Sequence, residues 1–252
     1  MRAAGGAGSR KIRDVMEPSA TFEEVEIPLP EPIHGLDHLR GVLGIPEWWP
    51  TGERIAVVFA HGGGSNLDDP LLTALANALA ERSFLTLRFN FPFAEAGKRS
   101  SSDSPVALER AYRAALNILG RDPTALPARL IVGGMGLGGR VAAGLVADRL
   151  QADGLFLLGF PLHPQDKPEK SDPEVLFRTT APTLFVQGTR DRRCDPTALR
   201  QALRRVGAPI ELHDVVDADA SFKVPRKSGR TRDEIHAEVF GVLSSWIARR
   251  LD

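Results

Sequence analysis

The most informative stretch of the sequence is the glycine-rich run at residues 133–139, Gly-Gly-Met-Gly-Leu-Gly-Gly, which follows a short apolar segment. A strand that turns sharply into a helix through such glycines can expose a nucleophile, in the pattern Gly-x-Ser-x-Gly. Here the outer glycines are Gly134 and Gly138, but the central position is Gly136. The segment therefore has the frame of a nucleophile-bearing turn without a side chain that could attack a substrate.

Three further segments carry residues that could take part in catalysis, and each segment follows a predicted strand. His61-Gly-Gly-Gly64 follows the first buried strand. A flexible backbone there can direct the N–H of Gly63 towards a developing oxyanion, beside the N–H of Leu137. Asp191 follows a later predicted strand, and Ala220 follows the last one.

Several motifs together resemble one known family. They are His61-Gly-Gly-Gly64, the turn ending in Gly138-Gly-Arg140, Phe160-Pro-Leu-His-Pro164, Phe185-Val-Gln-Gly-Thr-Arg-Asp191 and Asp219-Ala-Ser-Phe-Lys-Val224. Over residues 54–250 the chain resembles the α/β-hydrolase superfamily. Within it, the chain is similar to the small family of dienelactone-hydrolase relatives and the hydrolase-like domain of a chromatin acetyltransferase subunit. The resemblance implies descent from serine hydrolases that cleave esters or acyl compounds.

The resemblance also assigns the site. It implies the nucleophile position at Gly136, the triad acid at Asp191, the triad histidine position at Ala220 and an oxyanion hole at Gly63 and Leu137. Family members usually carry serine and histidine where this chain has glycine and alanine. Loss of a working triad costs about 10⁶-fold in rate. We therefore expect a protein that is inactive or nearly so, with a non-catalytic ligand-binding or protein-binding role as the alternative.

A third hypothesis is dinucleotide binding, because Gly134-Met-Gly-Leu-Gly-Gly139 also matches Gly-x-Gly-x-x-Gly between a strand and a helix. Against it, the motif follows at least two strand–helix units, whereas the fingerprint usually opens the fold. The next predicted strand, 154–160, also ends without an acid to hold a ribose. We therefore expect no cofactor.

The remaining reactive side chains are expected to be structural or solvated. We expect His61 to orient the oxyanion loop, and Cys194 to be structural or incidental. His163 is expected to be solvated in a proline-rich loop, with a ligand contact as the alternative. Arg140 is expected to face water, with an ion pair to Asp191 as the alternative. No His, Cys, Asp and Glu residues have the spacing of metal ligands, so no metal site is predicted.

The run Lys223–Arg232 holds five basic residues. The expected structure is a solvated loop leading into the last helix. Attraction of an anionic ligand or partner is the alternative interpretation.

The elements that must position these residues alternate along the chain. Predicted strands cover 54–60, 84–89, 129–133, 154–160, 182–188 and 210–216, and predicted helices cover 70–82, 105–119, 139–150, 196–206 and 231–251. An edge strand over 21–28 and a second short strand over 39–45 precede them. This alternation predicts an α/β fold, a three-layer sandwich in which a mostly parallel sheet carries helices on both faces. We expect one such domain over 21–252 and a disordered arm over 1–20.

Composition excludes several classes of function. The 252 residues include 32 Lys and Arg and 32 Asp and Glu, so no basic surface for nucleic acid is expected. No apolar run approaches the roughly 20 residues of a membrane span, and no secretory signal is predicted. The single cysteine suits a reducing compartment, so a cytoplasmic location is expected. The expected partners are a small ester-like molecule or another protein.

Overall fold

The structure is a computed structural model, and it describes residues 20–47, 49–98 and 102–249. The arm predicted over residues 1–20 lies outside the described residues except for Ala20, which begins the first strand. The strands of the described part are β1 (Ala20–Ile33), β2 (Leu36–Pro46), β3 (Ile55–Ala60), β4 (Leu85–Phe89), β5 (Arg129–Met135), β6 (Gly154–Leu158), β7 (Thr183–Gly188) and β8 (Ile210–Val215). The helices are α1 (Pro70–Ala80), α2 (Pro92–Glu95), α3 (Pro105–Ile118), α4 (Leu137–Ala147), α5 (Glu174–Phe177), α6 (Pro196–Leu203) and α7 (Arg232–Ala248).

The eight strands form one sheet in the order β1-β2-β4-β3-β5-β6-β7-β8. The strands from β4 to β8 in this order pair in parallel, whereas β2 pairs antiparallel with both β1 and β4. Every residue of β3, β4 and β6 is buried. A parallel strand covered on both faces needs apolar side chains on both, which explains the continuous apolar runs in the sequence.

Helices cover the sheet on both sides. Successive side chains of a strand point to opposite faces, and in β3 Val58 belongs to one hydrophobic cluster while Phe59 belongs to another. Val58 shares its cluster with Tyr112 of α3 and residues of α4. Phe59 shares its cluster with residues of α1 and with Trp246 of α7. The predicted mostly parallel sheet with helices on both faces is therefore confirmed.

Three helices begin with the same local signal, a capping side chain followed by proline. Asp69 accepts hydrogen bonds from the N–H groups of Leu71 and Leu72 at the start of α1, and Ser104 and Asp195 cap α3 and α6 in the same manner. Proline follows each cap, where its missing N–H costs nothing and its fixed φ suits a helix. These local signals explain why the predicted starts of α1, α3 and α6 agree with the structure.

The structure departs from prediction at the edge and in two loops. β1 and β2 are longer than predicted, because their antiparallel ladder runs from Ala20 opposite Pro46 to Pro28 opposite His38 and then on past an irregularity. Main-chain pairing extends these strands, and in the added part of β1 only Leu29 and Ile33 are buried, four residues apart, without the alternation of a strand. The short helices α2 and α5 lie between the predicted strands and helices, in segments for which no element was predicted. A single helical turn is too short to show amphipathic periodicity.

Candidate functional site

The turn between β5 and α4 consists of one residue, Gly136. Its φ is 55° and its ψ is −113°, a backbone conformation that L side chains rarely adopt. The Gly136 N–H donates to the Leu158 carbonyl of β6 over 2.8 Å, and the Gly136 carbonyl accepts from the Arg140 N–H over 3.1 Å. The strand is thus fixed on one side of the turn and the helix on the other.

The glycines of this turn differ in the space around them. A Cβ atom on Gly134 would lie 2.2 Å from the Ala60 carbonyl oxygen, and a Cβ atom on Gly138 would lie 2.3 Å from the same oxygen. A Cβ atom on Gly136 would have the Gly62 Cα, 3.9 Å away, as its nearest neighbour. Close packing against β3 therefore requires glycine at the two outer positions. The central position has room for a side chain.

His61 holds the loop that faces the turn. Its side chain is fully buried, and Nε2 lies 3.0 Å from the Phe91 N–H, which can only donate. In the neutral ring the proton is therefore on Nδ1, which donates to the Gly62 carbonyl over 2.8 Å. Burial lowers the pKa of His61 to about 4. His61 is thus a fixed, uncharged support for the glycine loop, and neither of its nitrogens is free to act as a base.

Asp191 lies on the turn after β7 and is 7% exposed. Its Oδ1 accepts from the Arg193 N–H over 2.8 Å, and its Oδ2 accepts from Nε2 of the buried Gln187 over 2.7 Å. The Oε1 of Gln187 accepts in turn from the Phe160 N–H over 2.9 Å. Burial raises the pKa of Asp191. Gln187 was not predicted as a site residue. Its position four residues before Asp191, within the same motif, could have indicated a partner for that acid.

The loop that carries Ala220 packs against the carboxyl ends of the strands that precede Gly159 and Asp191. The Arg190 N–H donates to the Ala218 carbonyl over 2.8 Å. A Cβ atom on Gly159, the residue after β6, would lie 2.7 Å from the Ala220 carbonyl oxygen. Ala220 therefore packs against the end of β6, the strand whose last carbonyl binds the Gly136 N–H.

One cleft of about 830 Å³ joins these segments. The five residues predicted for the site all line it: Gly63, Gly136, Leu137, Asp191 and Ala220. The carboxyl ends of parallel strands meet at one edge of a sheet, which explains why segments so distant in sequence share a cleft. The structure thus brings the predicted positions together, and their roles stay a prediction.

Three other candidates lie away from the cleft lining. His163 is 7% exposed, and its Nε2 accepts from the Asp195 N–H over 2.9 Å, so the expectation of a solvated histidine is wrong. Arg140 pairs with Asp172 and not with Asp191. Cys194 is 1% exposed, and burial raises its pKa to about 12, which leaves its thiol protonated and unreactive.

The described residues contain no group of three or more His, Cys, Asp or Glu side chains that could hold a metal ion. Within the same ranges, the helices are too short or too polar to cross a membrane. The cleft itself offers main-chain N–H groups, a buried carboxylate and many cationic side chains. These groups can bind and orient a ligand, whereas nucleophilic attack needs a group that Gly136 does not supply.

Comparison with known proteins places this geometry in a family. The family model described as an alpha/beta hydrolase domain matches residues 53–248. A dienelactone hydrolase from Anabaena variabilis superposes with a TM-score of 0.67 at 20% identity, covering 92% of this chain and 98% of that one. An alpha-beta serine hydrolase homologue from Coxiella burnetii gives a TM-score of 0.66 at 19% identity, covering 88% and 95%.

A serine hydrolase without a lid, from Xanthomonas campestris, also superposes with a TM-score of 0.66 at 19% identity, covering 93% of this chain and 95% of that one. At these identities the solved structures show a shared fold. The family model extends over most of the chain and includes each strand from β3 to β8. The chain therefore belongs to the α/β-hydrolase family.

Proposed function

We propose that this chain is a non-hydrolytic member of the α/β-hydrolase family, which binds a small ligand in its cleft without cleaving it. The observation that carries the proposal is glycine at position 136, the point of the turn from which the family's nucleophile would project. Ala220, at the proposed histidine position, can neither accept nor return a proton. Serine-hydrolase chemistry needs both groups.

The cleft supports a binding role. Small-molecule sites usually measure about 300–1,000 Å³ and combine an apolar lining with a few placed polar groups. This cleft, at about 830 Å³, lies within that range. Met135, Leu137 and Phe222 contribute apolar surface to it, and Gly62, Gly63 and Gly64 contribute backbone.

The neighbouring reactive side chains do not replace the missing nucleophile. His61 has both nitrogens in hydrogen bonds with the main chain. Cys194 is buried, with its pKa raised to about 12. His236 of α7 and the hydroxyls of Ser65 and Ser221 do line the cleft, but none of them stands on the turn between β5 and α4 that would carry the family's nucleophile. These features favour a cleft that binds a ligand without reacting with it covalently.

The proposal is tested with the wild-type chain, p-nitrophenyl acetate and p-nitrophenyl butyrate, and a fluorophosphonate probe that labels activated serines. We expect ester cleavage no faster than that of heat-unfolded chain, and no labelling. The matched variant is Asp191→Asn, which removes the acid of the proposed triad. Cleavage by the wild type that disappears in Asp191→Asn would overturn the proposal.

Several narrower expectations belong to the same proposal. The ligand is small, of ester or acyl character or a related compound, and a protein partner is the alternative occupant. We propose no nucleic-acid partner, no membrane partner and a cytoplasmic location. Dinucleotide binding is tested by calorimetry with NAD and FAD, and we expect neither to bind more tightly than inorganic pyrophosphate, which lacks the nucleosides of both cofactors. Tighter binding of NAD or FAD than of pyrophosphate would favour the dinucleotide hypothesis.

A further inference from the structure

We infer that the cleft takes a small ligand with two or more anionic oxygen groups, phosphate or carboxylate. This inference rests on the proposed function, because it names the ligand class of the same cleft. Seven Lys and Arg residues line the cleft, compared with three carboxylates. The basic residues are Arg190, Arg192, Arg193, Lys223, Arg226, Arg230 and Arg232. The whole chain is neutral, with 32 residues of each sign, so the excess positive charge is local to this cleft.

Two segments supply all of this charge. The first is the turn after β7, residues 190–193, and the second is residues 223–232, which lead from β8 to α7 and end on the first residue of that helix. The Arg190 N–H binds the Ala218 carbonyl, and the Lys223 N–H binds Asp219 Oδ1 over 3.0 Å. Main-chain hydrogen bonds therefore hold the first residue of each segment in place.

The three carboxylates of the cleft are already bound by neutral donors. Asp69 accepts from two N–H groups at the start of α1 and from the Ser65 hydroxyl. Asp191 accepts from Gln187 and from the Arg193 N–H. Asp219 accepts from the Ser221 and Lys223 N–H groups. The acids therefore hold the backbone in place, and their three negative charges offset fewer than half of the seven positive ones.

Some of the basic side chains do have acidic partners outside the cleft. Arg192 pairs with Asp166, Arg230 pairs with Glu238, and Arg232 lies 3.8 Å from Asp233. The other four cations, Arg190, Arg193, Lys223 and Arg226, are exposed, and none has an ion pair within the ranges that the structure describes. A cleft with an excess of one sign of charge concentrates ligands of the opposite sign. Guanidinium groups bind phosphate and carboxylate through paired hydrogen bonds.

The test is isothermal titration calorimetry of the full chain at low ionic strength. The probes are inorganic pyrophosphate and citrate, which carry phosphate and carboxylate groups respectively, and glycerol is the uncharged comparison. We expect saturable binding of at least one anion, which weakens as sodium chloride is added, and no binding of glycerol. The anion that binds more tightly shows whether the cleft prefers phosphate or carboxylate groups.

The double variant Arg190→Gln with Arg226→Gln should weaken binding about tenfold or more, because each charged hydrogen bond contributes strongly to affinity. Neither side chain makes a hydrogen bond or ion pair among the described residues, so we expect the variant to fold normally, as checked by circular dichroism. The matched control is Arg113→Gln, an exposed arginine of α3 that does not line the cleft. It should leave the affinity unchanged.

Two results would overturn the inference: no heat of binding with either anion at millimolar concentration, or equal weakening by the control variant. Both can be distinguished from failure of the proposed function, which the ester and fluorophosphonate assays report. A chain that ignores esters and also ignores both anions would contradict only the ligand class. A chain that cleaves esters through Asp191 and binds anions would contradict only the non-hydrolytic role.

Discussion

Gln187 Nε2 donates a hydrogen bond of 2.7 Å to Asp191 Oδ2. Both side chains are buried, with exposed fractions of 2% and 7%. The acid at the triad position is therefore held by a neutral amide and by the main chain, and its place does not depend on a histidine at position 220. Because Gln187 Oε1 is bound to the Phe160 N–H, the amide orientation is fixed.

This contact predicts the effect of Gln187→Glu, a change that preserves shape but places two carboxylates side by side. One of them must take up a proton in the folded protein, so the pKa of the pair is raised and the penalty grows as the pH rises. At about pH 8 we expect the free energy of unfolding to fall by about 3 kcal/mol, with much of the loss recovered near pH 5. Urea unfolding at the two pH values measures both.

The control for this change is Gln201→Glu on the exposed face of α6, which should alter stability by less than about 0.5 kcal/mol. An equal loss at both pH values in Gln187→Glu would show that charge repulsion with Asp191 is not the cause.

The glycines of the turn should differ sharply in their tolerance of alanine. Gly134→Ala and Gly138→Ala each force a Cβ onto the Ala60 carbonyl, so we expect losses of at least about 3 kcal/mol or failure to fold. Gly136→Ala meets open space and has only backbone strain to overcome, about 1–2 kcal/mol at its positive φ. Urea unfolding ranks the three variants. A larger loss for Gly136→Ala than for the other two would contradict the packing geometry.

Restoring the two missing groups together should restore chemistry. The space beside Gly136 accommodates a serine side chain, and Ala220 lines the same cleft as Asp191. We expect Gly136→Ser with Ala220→His to cleave p-nitrophenyl acetate measurably, while each single change stays near the wild-type background, because triad members act as a unit. Labelling by a fluorophosphonate probe should follow the same pattern.

The control adds Asp191→Asn to the double variant and should abolish the gained activity. Equal activity in the double variant and in Gly136→Ser alone would mean that position 220 does not serve as the histidine position.

The pH dependence of stability should report on His61. Its pKa is about 4 when folded and near 6.5 when unfolded, so the unfolded chain binds the extra proton between these values. The stability that neutral His61 contributes is complete above the unfolded pKa and is lost as the pH falls towards the folded one. Between about pH 7 and pH 5.5 the loss should be about 1 kcal/mol. Urea unfolding measures the free energy of unfolding at each pH, and the wild type should lose this amount relative to His61→Gln. The same pH dependence in both proteins would contradict the assignment.

The thiol of Cys194 should be inert until the chain unfolds. It is buried, and at neutral pH a thiol whose pKa is about 12 holds almost no thiolate. We expect iodoacetamide at about pH 8 to label native chain far more slowly than urea-unfolded chain, as measured by mass spectrometry. Rapid labelling of the native chain would reopen Cys194 as a candidate nucleophile.

Much of the fold could be predicted from local patterns. Continuous apolar runs predicted the parallel strands, and the predicted starts of α1, α3 and α6 coincide with a capping side chain followed by proline. The glycine turn could also be located, because the apolar residues of the strand, the glycines of the bend and the start of the helix lie within a few residues of one another. The extension of β1 and β2 could not be predicted, since main-chain pairing holds the added residues and their buried positions do not alternate with exposed ones.

The sequence by itself determined the order of strands and helices, the position of the turn, and the fact that Gly136 and Ala220 carry no reactive group. Only the tertiary structure decided the partners of the polar side chains: Gln187 for Asp191, Asp195 for His163, and Asp172 for Arg140. It also decided that two basic segments share one cleft. The physical reason is distance along the chain. Periodicity and capping act over a few residues, whereas these contacts arise where loops from different strands meet at one edge of the sheet.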